Sequence, residues 1–327
     1  MRFLVTGGTG ITGKALVMRL LQEGHDVVAL DYKEGLRTDE LRSRGAQVVI
    51  GSVTDPEVVA TCMKGVDVVH HVAAAFRELN VDNAYYDEVN IGGTRIVLEA
   101  AHREGVKKFI YCSTCGVHGN IEQPPGGEDA PIAPADYYQR SKYEGEPLTL
   151  EYAAKGMKTS IIRPAAIYGP GDPERFFMIF KRVASGHFPM FGDGRTLYHP
   201  LYIENLVDAF LLASDPDKGD GQAYLIADEE YVEIRDLVRM VGESLGIDVK
   251  IHYYPVLPLV VAGHICEKVC RPFGISPPIF PRRVDWFRQN RAFKIDKAKR
   301  ELGYAPRVGL AEGLKITADW YRAEGYL

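Results

Sequence analysis

The chain has 327 residues, 46% hydrophobic and 25% charged, the composition of an ordinary globular protein with enough material for one large core or two lobes. A formal net charge of −5 gives no basic field of the kind that holds a phosphate backbone, which argues against nucleic acid as a partner. Five cysteines are an odd number without metal-ligand spacing, so reduced thiols are expected rather than a disulfide framework or a metal site.

The first predicted strand, residues 2–6, begins almost at once and leaves no room for a signal peptide, so the expected location is the cytoplasm. Five more short runs rich in Val and Ile follow at 26–30, 47–50, 67–73, 108–113 and 159–163, with helical patterns between them. This alternation predicts an α/β fold, a doubly wound parallel sheet of the Rossmann type with helices on both faces. Asp55 before Pro56 marks a helix start, and Gly24, Gly65 and Gly105 stand just past predicted helix ends. After Tyr168 the pattern breaks at Gly169-Pro170-Gly171-Asp172-Pro173, and a smaller, mixed α/β C-terminal lobe for substrate is expected. The expected division is a dinucleotide-binding domain over 1–168, joined by 198–213 returning to it, and a substrate lobe over 169–327. That lobe is read as a helical run at 174–185, strands at 198–203 and 223–227, and helices at 204–213, 234–245, 257–271 and 310–322. Its most apolar stretch, Pro255 to Gly263, falls far short of the roughly 18 residues that cross a bilayer and contains two prolines, so no membrane span is expected.

Between the first strand and the first helix stands Thr6-Gly7-Gly8-Thr9-Gly10-Ile11-Thr12-Gly13. Glycines there let the chain turn sharply and let a pyrophosphate approach the N–H groups at the positive helix end. Gly7, Gly10, Ile11, Thr12 and Gly13 are therefore candidate cofactor residues. Asp31 ends the second strand at the spacing of a carboxylate that accepts hydrogen bonds from ribose hydroxyls. Its charge opposes a 2′-phosphate and predicts NAD, with Lys33 and Arg37 close enough to soften the discrimination against NADP.

Tyr138 and Lys142, four residues apart in a helical pattern, share one helix face. A tyrosine of ordinary pKa holds its proton too tightly to act as a base near neutrality, and an adjacent ammonium favours the phenolate. Thr114, just past the fifth strand, stands at the sheet edge where doubly wound proteins bind ligands, and its hydroxyl suits a substrate oxygen. His70 and His71 are read as members of the fourth strand and His118 as a lining residue.

Together these residues resemble the extended short-chain dehydrogenase/reductase (NAD-dependent epimerase/dehydratase) family, which holds nucleotide-sugar epimerases, dehydratases and hydroxysteroid dehydrogenases. The resemblance spans nearly the whole chain. It rests on the Gly-rich loop, Asn90-Ile91-Gly92-Gly93-Thr94, Tyr111-Cys112-Ser113-Thr114, Tyr138 with Lys142, the run from Arg163 to Pro170, and a C-terminal run from Lys297 to Tyr304. It implies Thr114, Tyr138 and Lys142 as catalytic residues and NAD as cofactor. Ser52, Val53, Ala73, Ala74, Asn90, Pro164 and Ile167 are implied as further cofactor contacts, alongside Tyr138 and Lys142. A homodimer built from the helices at 94–103 and 138–154 is implied as well. Ser52 replaces the acid usual after the third strand, and Cys115-Gly116 replaces the residues that dehydratases and sugar-acid decarboxylases carry after the threonine, which argues against those two reactions.

Arg282, Arg283, Arg288 and Arg291 cluster where sugar-nucleotide relatives place a diphosphate-binding arginine, so Arg282 and Arg283, with Thr114, are the candidate substrate contacts. The family's other phosphate arginine is Tyr198 here. The leading expectation is an NAD-dependent epimerase or oxidoreductase acting on a nucleotide-sugar, 4-epimerase-like. The alternative is a 3β-hydroxysteroid-dehydrogenase-like enzyme for an apolar hydroxy or keto compound, for which the apolar runs at 176–180 and 256–262 provide a lining.

Overall fold

In the computed structural model, which describes residues 1–76, 82–172, 175–270 and 284–327, the Val- and Ile-rich runs form one parallel sheet. Its first six strands are β1 (Arg2–Thr6), β2 (Asp26–Asp31), β3 (Gln47–Ile50), β4 (Val68–His71), β5 (Lys108–Cys112) and β6 (Thr159–Pro164). They lie in the order β3-β2-β1-β4-β5-β6, so the direction of winding switches between β1 and β4. A ligand crevice forms at such a point, beyond the carboxyl ends of the strands. β4 is shorter than the 67–73 expected, because the chain turns towards Asn90, whose Oδ1 accepts from Ala75 N at 2.7 Å.

Both faces of the sheet are covered. On one side Leu16, Val17 and Leu20 of the helix Ile11–Gln22 pack with Leu206, Val207 and Phe210 of Ile203–Ala213, all fully buried. Arg19 ties these two helices through Asp208 at 2.9 Å and through Glu204. On the other side Pro56–Met63, Thr94–Arg103 and Tyr137–Ala154 bury Val59, Val97, Leu98 and Tyr152. Pro56 follows an Asp55 cap that accepts from Glu57 N and Val58 N, as its sequence signature predicts.

The strand read at 223–227 does not stay with the second lobe. Gln222–Ile226 pairs in parallel with β6 as a seventh strand, and its Leu225 and Ile226 are buried in the first core. The helix Asp296–Leu302 packs into that core as well, through Ala298 and Leu302. The return over 198–213 is divided: the helix packs on the sheet layer, while Pro200–Tyr202 pairs with Ala166–Tyr168 in a separate ribbon. The second lobe surrounds an aromatic core of Phe176, Phe180 and Tyr321, closed by Arg175–Ala184, Ile234–Leu245 and Leu310–Ala323. It also holds a parallel pair, His187–Phe191 with Lys250–Tyr254, that the pattern did not reveal. Four of the five residues of Lys250–Tyr254 are exposed, so this strand shows no alternation between a buried and a wet face. Among the described residues, no helix is long and apolar enough to cross a membrane.

Candidate active site

A cleft of about 1400 Å³ opens along the carboxyl edge of the sheet, lined at one end by the Gly-rich loop and at the other by the second lobe. Gly7 has φ +69°, and a Cβ there would stand 2.9 Å from the backbone of Ala73, in the loop after β4. Gly13 is still more constrained, since a Cβ would fall 2.0 Å from Gly7 O. The loop thus closes on itself and on the neighbouring strand end. Gly10 stands at the N-cap of Ile11–Gln22 without a side-chain cap, so the positive end of a twelve-residue helix faces the cleft beside Ile11, Thr12 and Gly13. Asp31 is buried at the cleft wall, where its Oδ2 accepts from Thr9 N at 3.0 Å and its Oδ1 from Tyr32 N at 2.8 Å. One carboxylate therefore ties β2 to the glycine loop and borders the same space.

Farther along the cleft, Thr114, Tyr138 and Gln139 line the wall. Asp136 caps the helix Tyr137–Ala154 by accepting from Gln139 N at 2.8 Å, which fixes the turn that carries Tyr138. The Phe76 ring meets the Tyr138 ring edge-on, centroids 4.7 Å apart. One turn on, Lys142 is 1% exposed, and its Nζ sits 4.3 Å from the centre of the Tyr111 ring with no hydrogen-bond partner among the described residues. Burial lowers this ammonium from 10.5 to about 8, against the pull of Cys112 and Glu146. Thr114 Oγ1 accepts from Gly116 N at 3.1 Å, which leaves its own proton available to a ligand oxygen. Its neighbour Ser113 is committed elsewhere, donating to Glu146 Oε1 at 2.5 Å.

Several expected contacts take other places. Asn90 is fully buried behind the wall: its Nδ2 donates to Ser141 Oγ at 2.8 Å and to Ala75 O at 3.2 Å, so it joins the loop after β4 to the Tyr138 helix. His118 does not line the cleft. It is 1% exposed, Nδ1 donates towards Ala130 O and Pro131 O, and Nε2 accepts from Arg163 Nη1 at 3.1 Å. Arg163 in turn clasps Glu146 through Nε at 2.9 Å and Nη2 at 2.6 Å. This buried network, Ser113 to Glu146 to Arg163 to His118, was not found from sequence, although Glu146 stands one turn beyond Lys142. His70 and His71 lie in β4, fully buried, with His71 held between Thr6 Oγ1 and Thr94 Oγ1. Ser52, Val53, Ala73, Ala74, Pro164 and Ile167 all line the cleft, and Ser52 Oγ is 2.8 Å from Thr54 Oγ1. Arg282 and Arg283 lie outside the described residues.

The end of the cleft against the second lobe is lined by Phe176, Phe177, Ile179, Tyr198, Trp286 and Phe287. Tyr198 stacks obliquely against Phe176 and meets Trp286 edge-on. Of the other two clustered arginines, Arg288 is paired with Asp285 at 3.5 Å, and Arg291 lines the cleft.

Residues 3–227 match the model of the NAD dependent epimerase/dehydratase family. The chain is 32% identical to 3beta-hydroxysteroid-dehydrogenase/decarboxylase isoform 2 of Arabidopsis thaliana, over 97% of this chain and 61% of that relative, so it spans less than two thirds of the relative's length. It is also 32% identical to 3 beta-hydroxysteroid dehydrogenase/Delta 5-->4-isomerase of Mycobacterium tuberculosis, over 98% of this chain and 90% of the other. Among solved structures, UDP-glucose 4-epimerase of Thermotoga maritima superposes with a TM-score of 0.81 at 27% identity, covering 99% of both chains.

Proposed function

The chain belongs to the NAD-dependent epimerase/dehydratase family, and on that premise we propose that this NAD-dependent enzyme interconverts a secondary alcohol and a ketone on an apolar molecule. The observation that carries the reading is the aromatic end of the cleft, lined by Phe176, Phe177, Tyr198, Trp286 and Phe287, where the family resemblance leads one to expect a phosphate-binding arginine in place of Tyr198. A ring surface of this kind contributes through apolar area removed from water, which a sterol-like or alkyl skeleton provides and a sugar does not. The 3β-hydroxysteroid dehydrogenase relatives act in the same direction.

The residues fit the dinucleotide. Gly7, Gly10 and Gly13 leave backbone room for a pyrophosphate at an uncapped helix end, Asp31 borders the space for a ribose, and the unpartnered Lys142 ammonium is a donor in want of an acceptor. Bound there, NAD supplies a hydride acceptor for the alcohol or, reduced, a hydride donor for the ketone. In this reading Thr114 donates its free proton to the substrate oxygen and fixes the carbon to which that oxygen is attached. Tyr138 takes the alcohol proton in oxidation and returns it in reduction. Lys142 keeps the Tyr138 phenolate accessible near neutrality by placing a positive charge one turn away. Asn90 acts through Ser141 to hold that helix against the loop after β4, so it is a positioning residue rather than a contact.

A nucleotide-sugar substrate is the second reading, favoured by the superposition on UDP-glucose 4-epimerase. Calorimetric titration of the NAD-loaded protein with UDP, GDP, CDP and dTDP, beside NADH formation from cyclic and long-chain secondary alcohols, separates the two. The apolar reading expects NADH from the alcohols and no binding of any nucleoside diphosphate at millimolar concentration; the reverse result replaces it. The proposal includes cytoplasmic residence and a homodimer through the faces of Thr94–Arg103 and Tyr137–Ala154, where Leu150 is 42% exposed. Sedimentation at micromolar concentration giving only monomer would remove the dimer.

A further inference from the structure

Eight of the fifteen residues of the helix Val256–Cys270 are aliphatic, yet none of its described residues belongs to any of the three hydrophobic cores. Leu257, Val261, Ile265 and Val269, spaced four apart, share one face and are 50–69% exposed. A surface helix ordinarily turns its apolar stripe inward; this one turns it out. On the other helices large exposed apolar side chains stand singly, such as Leu150, Met178 and Ile316, so the stripe is not the usual scatter. Tyr253 and Tyr254, about half exposed, precede it, and Lys250 and Lys268 stand exposed near its two ends.

The charge around the stripe selects what covers it. By sequence, residues 250–291 hold seven Lys and Arg against two Asp and Glu, in a chain whose net charge is −5. We infer that this face docks the protein onto a lipid surface carrying anionic headgroups, with the stripe in the headgroup boundary and the cations facing the phosphates. At about 1.5 Å per residue the helix falls short of the roughly 30 Å hydrocarbon layer, so it lies in the plane of the interface rather than across it. A second copy of the chain fits less well, because the four side chains expose roughly 400 Å², about half of what one partner buries in a stable interface. Docking would also bring the cleft close to the lipid: the Tyr254 ring meets Phe191 at 5.7 Å, Phe191 meets Phe287 at 5.4 Å, and Phe287 lines the cleft. The inference stands apart from the choice between an apolar and a nucleotide-sugar substrate.

Flotation with vesicles tests it. The native protein is expected to float with phosphatidylcholine vesicles containing about a quarter phosphatidylglycerol, and to partition about tenfold less onto phosphatidylcholine alone. Leu257→Ser with Ile265→Ser, both exposed and outside the catalytic machinery, should weaken partition by about 10- to 100-fold while circular dichroism and NAD affinity stay native. Ile316→Ser, an exposed apolar residue on another helix, should leave partition unchanged. Native protein that ignores both vesicles overturns the inference, as does a double variant that floats like the native chain. Equal partition onto the two vesicles overturns the anionic surface. A native dimer in sedimentation that ignores vesicles and dissociates in the double variant assigns the stripe to a second copy instead.

Discussion

Lys142 is held in the charged form against its solvation energy, and that conflict is measurable. A fall from 10.5 to about 8 corresponds to about 3 kcal/mol of preference for the neutral form in the folded chain. The unfolded chain keeps the proton up to the ordinary lysine value while the folded chain releases it near 8. Stability therefore rises as pH climbs from 8 towards 10.5, and the burial penalty is fully present below 8. Lys142→Met is expected to raise the unfolding free energy at pH 7 by about 1–3 kcal/mol, less the lost contact with the Tyr111 ring, while activity disappears. Denaturation at pH 7 and pH 10.5 checks this, because the gain should shrink at the higher pH; Lys108, lowered in the same direction, is common to both proteins and cancels. Tyr138→Phe removes only the exchangeable proton, so turnover should fall by about 10²–10⁴-fold with NAD affinity unchanged, as single-turnover kinetics and calorimetry would read. Native-like turnover would end the assignment of Tyr138.

At the scale of elements, the glycine loop and the end of β2 act as one device. Gly13→Ala places a Cβ 2.0 Å from Gly7 O, which forces the first helix away from β1. NAD affinity is expected to drop by more than about tenfold, with a loss of stability of about 2 kcal/mol or more. Gly309→Ala, at a helix N-cap with nothing within 4 Å and an ordinary φ of −75°, is the control that should leave NAD affinity unchanged and cost no more than about 1 kcal/mol through the poorer cap. In the proposed reading Asp31 has two tasks: its carboxylate, which accepts from Thr9 N in the loop, would also disfavour a 2′-phosphate. Asp31→Ala combined with Tyr32→Arg should move the kcat/KM ratio towards NADP and lower stability by about 1 kcal/mol for the lost bond. If the ratio stays with NAD, ribose recognition does not run through Asp31.

For the whole molecule, the Glu146–Arg163 pair joins the Tyr138 helix to β6, to the turn bearing His118 and, through Glu128 O, to the segment before that helix. Both side chains are less than one tenth exposed, so removing one charge strands the other. Glu146→Gln should cost about 3–5 kcal/mol in urea unfolding, and replacing both partners by Leu and Met should recover most of it. A loss below about 1 kcal/mol for the single change would mean that solvent reaches the pair. The same network sits under Thr114 and Lys142 by way of Ser113 and Glu146. It is assembled from residues 113, 118, 146 and 163, too far apart in the chain for spacing to disclose.

Local order determined what could be read from the sequence alone. Six strands and the alternating helices announce themselves through period and caps, because buried parallel strands need continuous Val- and Ile-rich runs and a helix start needs a residue such as Asp55 before Pro56. The glycine loop followed from the same logic, since only glycine fits where Gly7 meets Ala73 and Gly13 meets Gly7. Tyr138 and Lys142 were legible as a pair because the helix period itself brings them to one face. What the chain did not disclose depends on contacts between distant segments. Asn90 is behind the wall because Ser141, 51 residues on, takes its amide. His118 faces inward because Arg163 needs an acceptor there. Gln222–Ile226 joins the sheet because β6 would otherwise leave an unpaired edge. Arg291 reaches the cleft only because Leu197 accepts from its backbone and Tyr198 lies beside it, a pairing across more than 90 residues that no local pattern encodes.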